Sequence, residues 1–331
     1  MTDRKVLVTG GAGFVGSALA ERLAAAGPVR VLDDLSTGQA DSVAGIRGVE
    51  LVVGSVLDEV AVAAALDAVD VVFHLASRGV RRSIHAPCEA HDVNATGTLT
   101  LLEASRRAGI RRFVYVSSSE VYGSAQTVPM NELHPRLPNT VYGGSKLAGE
   151  SYARVYHRTY GLPTVTLRLF NTYGPRSHYE GDSGEVIPKF LVRARNGLPP
   201  IIFGDGAQTR DFTFVTDIAQ GIAAAAETDE VIGEVINLGS GKEISIAELA
   251  ARILRLAGNS DLDPKYAEPR PGDVRRLFAD VTKALRLLHW APSVTLGEGL
   301  QRLVAWHEAV GTDWPAALAQ DVEMNWTGNN T

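Results

Sequence analysis

The chain has 331 residues, enough for one large domain or two lobes around a sizeable core. Hydrophobic residues make up 45% and charged residues 21%, a balance typical of globular proteins, and the net charge of −6 argues against a nucleic acid or an anionic membrane as partner. The single cysteine, Cys88, argues against a disulfide framework or a thiolate zinc site.

Three other features are absent from the sequence. No histidine or carboxylate cluster has metal-ligand spacing, so no metal site is predicted. No apolar run reaches the length of a membrane span, and no signal peptide precedes the first predicted strand. We therefore expect a cytoplasmic protein without a membrane partner.

The first predicted elements form a phosphate-binding turn. Residues 5–9 are apolar and rich in β-branched side chains, which predicts a buried strand, and residues 15–26 predict a helix. Three glycines spaced three residues apart join the two: Gly10, Gly13 and Gly16. Glycine permits a tight turn, and the helix start offers free N–H groups and the positive end of its dipole. The strand at 29–34 carries Asp33, whose carboxylate can bond ribose hydroxyls and repel a 2′-phosphate. This stretch predicts dinucleotide binding, with NAD favoured over NADP.

Strands and helices then alternate. Further strands are predicted at residues 49–53, 71–76, 112–117 and 164–169, and helices at 59–66, 89–108 and 142–160. This alternation is typical of an α/β protein with a Rossmann-type, doubly wound parallel sheet. Ligands of such sheets bind beyond the carboxyl ends of the strands.

The pattern changes at about residue 172, where a polar, turn-rich segment begins. Beyond it, helices are predicted at about 186–196, 216–227, 246–257, 282–288 and 296–309, and short strands at 235–238 and 263–266. We expect residues 1–171 to form an NAD-binding domain. Residues 172–310 are expected to form mainly a smaller mixed α/β lobe for the substrate, with some segments returning to the first domain. The tail at 311–331 is either a flexible end or a strap on a neighbouring surface.

A tyrosine and a lysine provide the second strong signal. Tyr142 and Lys146 are four residues apart and share one face of the predicted helix. An ammonium near a phenol favours the phenolate and lowers the pKa of the tyrosine, as a bound nicotinamide cation would. The pair therefore predicts a general base that works near neutral pH.

These features, with four further segments, carry a resemblance to a known family. The segments are Val116–Gly123, Arg168–Pro175, Arg210–Asp217 and Arg270–Asp273. Over about residues 4–309 the chain resembles the extended short-chain dehydrogenase/reductase family, in its nucleotide-sugar epimerase and dehydratase branch. The resemblance implies NAD as cofactor, a nucleotide sugar (UDP-linked) as substrate, and a homodimer formed through the helices at 89–108 and 142–160.

The resemblance also implies roles for individual residues. Tyr142 takes a sugar hydroxyl proton, Lys146 binds the nicotinamide ribose and Ser118 bonds the sugar oxygen. Cofactor contacts are expected at Gly10, Gly13, Phe14, Val15, Asp33, Asp34, Ser36, Gly38, Ser55, Val56, Leu75, Ala76, Ser77, Asn94, Tyr142, Lys146 and Phe170. Substrate contacts are expected at Ser118, Ser119, Asn171, Glu185, Val186, Ile201, Phe203, Arg210, Arg270 and Asp273. Among these, Asn171 and the two arginines match diphosphate contacts, Phe203 a residue packed on uracil, and Asp273 a contact to the nucleotide ribose.

The residues after Ser118 leave the reaction class open. Dehydratases of this family carry Thr-Asp-Glu here and UDP-glucuronate decarboxylases carry Thr-Ser-Glu, whereas this chain has Ser118-Ser119-Glu120. The missing aspartate argues against an ordinary 4,6-dehydratase, and Glu120 keeps a 5,6-dehydratase or a decarboxylase open as the residue that moves a proton.

The Arg270–Asp273 segment resembles the epimerase version of this region. The prediction is an NAD-dependent nucleotide-sugar 4-epimerase, acting on a UDP-hexose or UDP-hexuronate through a transient 4-keto sugar. The alternatives are a dehydratase or decarboxylase that uses Glu120, and a non-catalytic NAD-binding sensor.

Overall fold

A computed structural model describes residues 5–328, and twelve strands lie in that range. In chain order they are β1 (Val6–Thr9), β2 (Val29–Asp33), β3 (Val49–Val53), β4 (Val71–His74), β5 (Arg112–Ser118), β6 (Thr164–Leu169), β7 (Asn171–Tyr173), β8 (Ile201–Phe203), β9 (Thr209–Phe214), β10 (Val235–Leu238), β11 (Glu243–Ser245) and β12 (Lys265–Ala267).

Thirteen α-helices accompany these strands in the same range. They are α1 (Phe14–Ala24), α2 (Asp41–Ala44), α3 (Glu59–Ala65), α4 (Val80–His85), α5 (Pro87–His91), α6 (Gly97–Arg107), α7 (Val141–Tyr160), α8 (Val186–Arg195), α9 (Val215–Glu227), α10 (Ile246–Leu256), α11 (Thr282–Leu288), α12 (Leu296–Ala309) and α13 (Trp314–Ala319). Between residues 5 and 328, no helix combines the length and the apolar character that crossing a membrane requires.

Seven strands form one sheet in the order β10-β6-β5-β4-β1-β2-β3, with every neighbouring pair parallel. Apolar side chains of α1, α9 and α11 pack on one face, and those of α3, α6 and α7 on the other. Both faces are buried, as parallel sheets require. The predicted Rossmann-type, doubly wound fold is confirmed.

One short strand predicted beyond residue 172 belongs to this large sheet. β10 pairs with β6 and forms the sheet's edge, and α9 and α11 cover it. The chain therefore returns to the first sheet after leaving it, because the apolar faces of these later segments fit against β6 and α1.

A smaller lobe stands beside the carboxyl edge of the large sheet. Its three-stranded sheet has the order β11-β9-β7, and β8 pairs with β12 in a separate two-stranded sheet. Side chains of α8, α10 and α12 enclose a second apolar core around β9. This lobe faces the strand ends at which ligands of a doubly wound sheet bind.

The helix predicted over residues 89–108 is three segments. A π-helical turn, Asp92–Thr96, separates α5 from α6. No sequence pattern predicted α2, α4 or α13; α2 and α4 are short, and α4 follows the end of β4 closely.

A buried ion pair joins the longest helix to the sheet. Arg168 of β6 donates two hydrogen bonds to the Glu150 carboxylate of α7, at 2.8 and 2.7 Å, and the two side chains are 1% and 5% exposed. Ser117 of β5 donates to the same carboxylate at 2.6 Å. Helix α7 is thereby fixed to the two strands beneath it.

We predict that Glu150→Gln lowers the free energy of unfolding by about 3–5 kcal/mol, because it leaves the Arg168 charge buried without its partner. Urea titration followed by circular dichroism measures the effect. The control, Arg252→Ala, breaks the exposed Glu248–Arg252 pair and should cost less than about 0.5 kcal/mol. A loss no larger than in the control would contradict the prediction.

Candidate active site

A cleft runs between the carboxyl edge of the large sheet and the smaller lobe. Its walls include the ends of β1, β2, β4 and β5 on one side and residues of β8, β9 and α8 on the other. The strands are parallel and in register, so their ends bring distant parts of the sequence together.

The backbone of the glycine turn is packed so closely that it leaves no room for side chains at Gly10 and Gly16. Gly10 has a φ of +69°, and a Cβ there would lie 2.6 Å from the Ala76 nitrogen. A Cβ on Gly16 would lie 2.1 Å from the Gly10 oxygen. No side chain caps the start of α1 at Gly13, so its first N–H groups face the cleft, as a bound diphosphate requires.

Two carboxylates follow β2. Asp33 is 7% exposed and accepts hydrogen bonds from the Ala12 and Leu35 N–H groups, both at 2.9 Å. Burial raises the pKa of Asp33, although these two bonds oppose the shift. Asp34 pairs with Arg78 at 3.0 Å, and although burial acts in the other direction, the hydrogen bonds from Arg78 and Ser36 hold its pKa below the ordinary value.

Most predicted cofactor contacts line the cleft. They are Gly10, Gly13, Phe14, Val15, Asp33, Asp34, Val56, Leu75, Ala76, Ser77, Tyr142, Lys146 and Phe170. Four do not: Ser36, Gly38, Ser55 and Asn94. Ser36 bonds Asp34, Gly38 packs on the Ala12–Asp33 contact, and Ser55 accepts from the Leu57 N–H. Asn94 is buried behind the wall, where it bonds Arg78 and Ser145.

Tyr142 and Lys146 lie beside the end of β5. The Lys146 ammonium donates to the Val116 carbonyl at 3.0 Å and is 6.0 Å from the centre of the Tyr142 ring. Burial raises the pKa of Tyr142 to about 12, against a hydrogen bond to Ser118 that lowers it. Burial also lowers the pKa of Lys146 to about 7. The predicted lowering of the Tyr142 pKa by the lysine is therefore not seen: burial dominates the shift, and the group that opposes it is Ser118 rather than Lys146.

Two arginines are held side by side across the cleft. Arg210 of β9 and Arg270 both donate to one oxygen of Asp273, at 2.8 and 2.5 Å. Asn171 lines the same region, and its Oδ1 accepts no hydrogen bond within residues 5–328. Paired guanidiniums bind a diphosphate through several charge-assisted hydrogen bonds.

Further titratable side chains line the cleft around these arginines. Burial raises the pKa of Glu120, with Arg270 and Arg210 opposing it. Burial also raises the pKa of Glu185 to about 7 and lowers that of Arg81 to about 10, so Arg81 remains charged at neutral pH. All ten predicted substrate contacts line the cleft: Ser118, Ser119, Asn171, Glu185, Val186, Ile201, Phe203, Arg210, Arg270 and Asp273.

Sequence reasoning missed part of the wall. Gln208, Lys189 and Arg193 line the cleft, as do four residues of the tail: Asp321, Glu323, Asn325 and Trp326. The two tryptophans of the tail, Trp314 and Trp326, were the available signal. In the described part of the chain, no group of three or more potential metal ligands is found.

The fold and the cleft together define a dinucleotide-dependent enzyme with a tyrosine–lysine pair beside the dinucleotide turn. The family model described as the NAD dependent epimerase/dehydratase family matches residues 6–239. The chain belongs to this family, and its cofactor is NAD.

Named relatives cover nearly the whole chain. A putative UDP-glucose 4-epimerase of Methanocaldococcus jannaschii is 38% identical over 310 residues, 91% of this chain and 97% of the relative. A dTDP-glucose 4,6-dehydratase of an Actinoplanes species is 35% identical over 324 residues, 94% of this chain and 99% of the relative. The solved UDP-glucose 4-epimerase of Thermotoga maritima with UDP-glucose is 34% identical, with a TM-score of 0.88 over 93% of this chain and 100% of that chain.

We predict that Gly16→Ala abolishes NAD binding, because the added Cβ would displace the Gly10 carbonyl by more than 1 Å from its place in the turn (about 3.4 Å being ordinary contact). The measurement is the NAD content of the purified protein and its titration with NAD. Gly297→Ala is the control, since that glycine also lies in the first turn of a helix, α12, and its Cβ would meet nothing within 4 Å. Equal NAD content in both variants would contradict the prediction.

Proposed function

We propose that the protein is a nucleotide-sugar 4-epimerase acting on a UDP-hexose or UDP-hexuronate. The observation that carries the proposal is that Ser118 and Tyr142 line the same cleft as the glycine turn and the Arg210–Arg270 pair. A sugar whose diphosphate is bound by the arginines would present a ring hydroxyl to these two side chains.

Side chains of this protein can then transfer the proton of the sugar hydroxyl. Tyr142 takes the proton of the 4-hydroxyl and later returns it, while Ser118 hydrogen-bonds the same oxygen. NAD held beside Tyr142 would supply the hydride acceptor and donor for C4 and a positive charge near the phenol. That positive charge would favour the phenolate and so act against the burial that raises the pKa of Tyr142 to about 12.

Epimerisation requires the 4-keto sugar to turn while its nucleotide stays bound. The firm contacts of this cleft are at the diphosphate end, where Asp273 holds Arg210 and Arg270. Around the sugar, Ser118 and Ser119 are small and leave room for rotation. A nucleotide held by ion-paired arginines and a sugar surrounded by small side chains are the combination that an epimerase needs.

Glu120 supports a second candidate function, that of a dehydratase or decarboxylase. Its carboxyl lines the cleft, accepts no hydrogen bond from residues 5–328, and has a pKa raised by burial, so it could carry a proton at higher pH than an ordinary glutamate. A dehydratase or decarboxylase would start with the same oxidation and use Glu120 to move the proton that accompanies loss of water or carbon dioxide.

We predict that Tyr142→Phe lowers kcat by about 10³-fold while the NAD content stays the same, because only the proton-transferring hydroxyl is removed. The assay follows conversion of UDP-glucose to UDP-galactose by NMR. Tyr152→Phe, on the same helix outside the cleft, is the control. Activity lost with NAD retained would exclude a non-catalytic sensor, and activity retained would remove Tyr142 as the base.

The reaction class is tested with a panel of UDP- and dTDP-sugars, including a UDP-hexuronate, with products resolved by mass and NMR. An epimerase gives an unchanged mass with inverted C4; loss of water or carbon dioxide would replace this proposal with the second candidate. In an epimerase Glu120→Gln should change kcat by less than about 10-fold, whereas in a lyase it should lower kcat by about 100-fold or more.

The homodimer stays a prediction. Leu99 on α6 and Val155 on α7 are 39% and 44% exposed, and these helices pack side by side, with Tyr156 bonded to Glu103. Exposed apolar side chains on this helix pair support an interface there. We expect Val155→Glu to shift the molar mass from dimer to monomer in size-exclusion chromatography with light scattering. A dimer unchanged by the substitution would exclude this face.

A further inference from the structure

The end of the chain crosses one end of the cleft. Residues 320–328, here called the C-terminal strap, bring Trp326 against Phe203 of β8. The two ring centres are 4.6 Å apart and the ring planes lie at 84°. Trp326 is 8% exposed and lines the cleft, whereas the other three tryptophans do not: Trp290, Trp306 and Trp314.

Polar contacts hold the C-terminal strap in this position. Asp321, almost fully buried, pairs with Lys189 at 2.9 Å and with Arg193 at 3.1 Å, both on α8. The Asn325 amide donates to the carbonyls of Gly181 and Gly184 at 2.9 and 3.2 Å. These ion pairs and hydrogen bonds join the strap to α8 and to residues 181–184, so the strap forms part of the cleft wall.

The charges at this end favour a neutral ligand group. Asp321 and Glu323 line the cleft here together with Lys189 and Arg193, and these four charges are paired with one another, which leaves no surplus positive charge for a phosphate. The phosphates are better placed at the Arg210–Arg270 pair. What the aromatic end offers is a corner of two perpendicular rings, against which a planar base can stack on one face and make an edge contact with the other ring.

Phe203 is itself fixed. The Gln208 amide donates to its carbonyl at 2.7 Å, and β8 is paired with β12. The ring is therefore oriented by the backbone of the small lobe, and the strap supplies the second wall. Neither wall alone would enclose a base.

We propose that Trp326 contacts the nucleobase of the substrate, so that the C-terminal strap forms part of the nucleotide site. The occupant to which the proposal commits is the uracil of a UDP-sugar, so this inference rests on the proposed function. It extends that function by assigning a residue from the tail to the base-binding end. The opposing possibility is that the indole occupies the place of the base, and that the strap must leave before the nucleotide binds.

The test is binding of UDP to the NAD-loaded protein, measured by calorimetry without turnover. Trp326→Ala should weaken UDP binding by about 10-fold or more, since an aromatic side chain stacked on a base is worth roughly 1–3 kcal/mol. Met324→Ala is the matched control, because Met324 lies on the same strap, is 54% exposed and does not line the cleft. UDP binding that is unchanged or tighter in Trp326→Ala would overturn the proposal.

Fluorescence gives a second readout that does not depend on the alanine variant folding. Because Trp326 is the tryptophan that lines the cleft, UDP should change the tryptophan emission of the wild-type protein. In Trp326→Phe, which keeps an aromatic wall, the affinity should stay within about 3-fold of the wild type while the emission change disappears. An emission change that persists would place the base elsewhere and overturn the proposal.

The two proposals fail differently. A wild-type protein that retains NAD but binds no UDP would overturn the proposed function and this inference together. A wild-type protein that binds UDP, with Trp326→Ala binding equally well, would overturn the role of the strap alone.

Discussion

The buried ion pair between Glu150 and Arg168 fixes the geometry on which the cleft depends. It joins α7, which carries Tyr142 and Lys146, to β6, and through Ser117 to β5, which ends at Ser118. Arg168 continues the network by donating to the Tyr122 hydroxyl at 2.8 Å. One carboxylate, that of Glu150, thus joins a helix to a strand end that is more than twenty residues away in sequence. A small shift of α7 along the sheet would separate the tyrosine from the serine that shares its hydrogen bond.

Three regions of the cleft differ in charge. They therefore suit different parts of NAD and of the proposed nucleotide-sugar substrate. The glycine turn offers backbone N–H groups, the Arg210–Arg270 pair offers guanidiniums, and the Phe203–Trp326 corner offers apolar ring surface bordered by carboxylates. An elongated molecule with a phosphate region and a neutral base has one favourable direction in such a cleft. In the proposed reaction, that direction would bring the sugar to the strand end at Ser118.

Local pattern was enough to predict the alternating strands and helices, because each buries an apolar face that its own sequence defines. It also predicted that Gly10, Asp33 and Ser118 lie at one edge of the sheet, because the carboxyl ends of parallel strands lie together. It could not show that residues 235–238 form the seventh strand of the large sheet, since the choice of neighbour depends on packing against β6 and α9. Nor could it show that burial raises the pKa of Tyr142, or that Trp326 reaches Phe203, since both depend on the folded surroundings, which spacing does not encode.

The π-helical turn Asp92–Thr96 has a consequence for how such a sequence can change over evolution. The turn accommodates one residue more than an α-helix would, and it lets Asn94 bond Arg78 on the β4 loop and Ser145 on α7 at once. Removing one residue would restore an α-helix and abolish the local widening through which Asn94 reaches both partners. The length of this segment is therefore constrained independently of its composition, and insertions or deletions should be rarer there than substitutions at Val93 or Ala95.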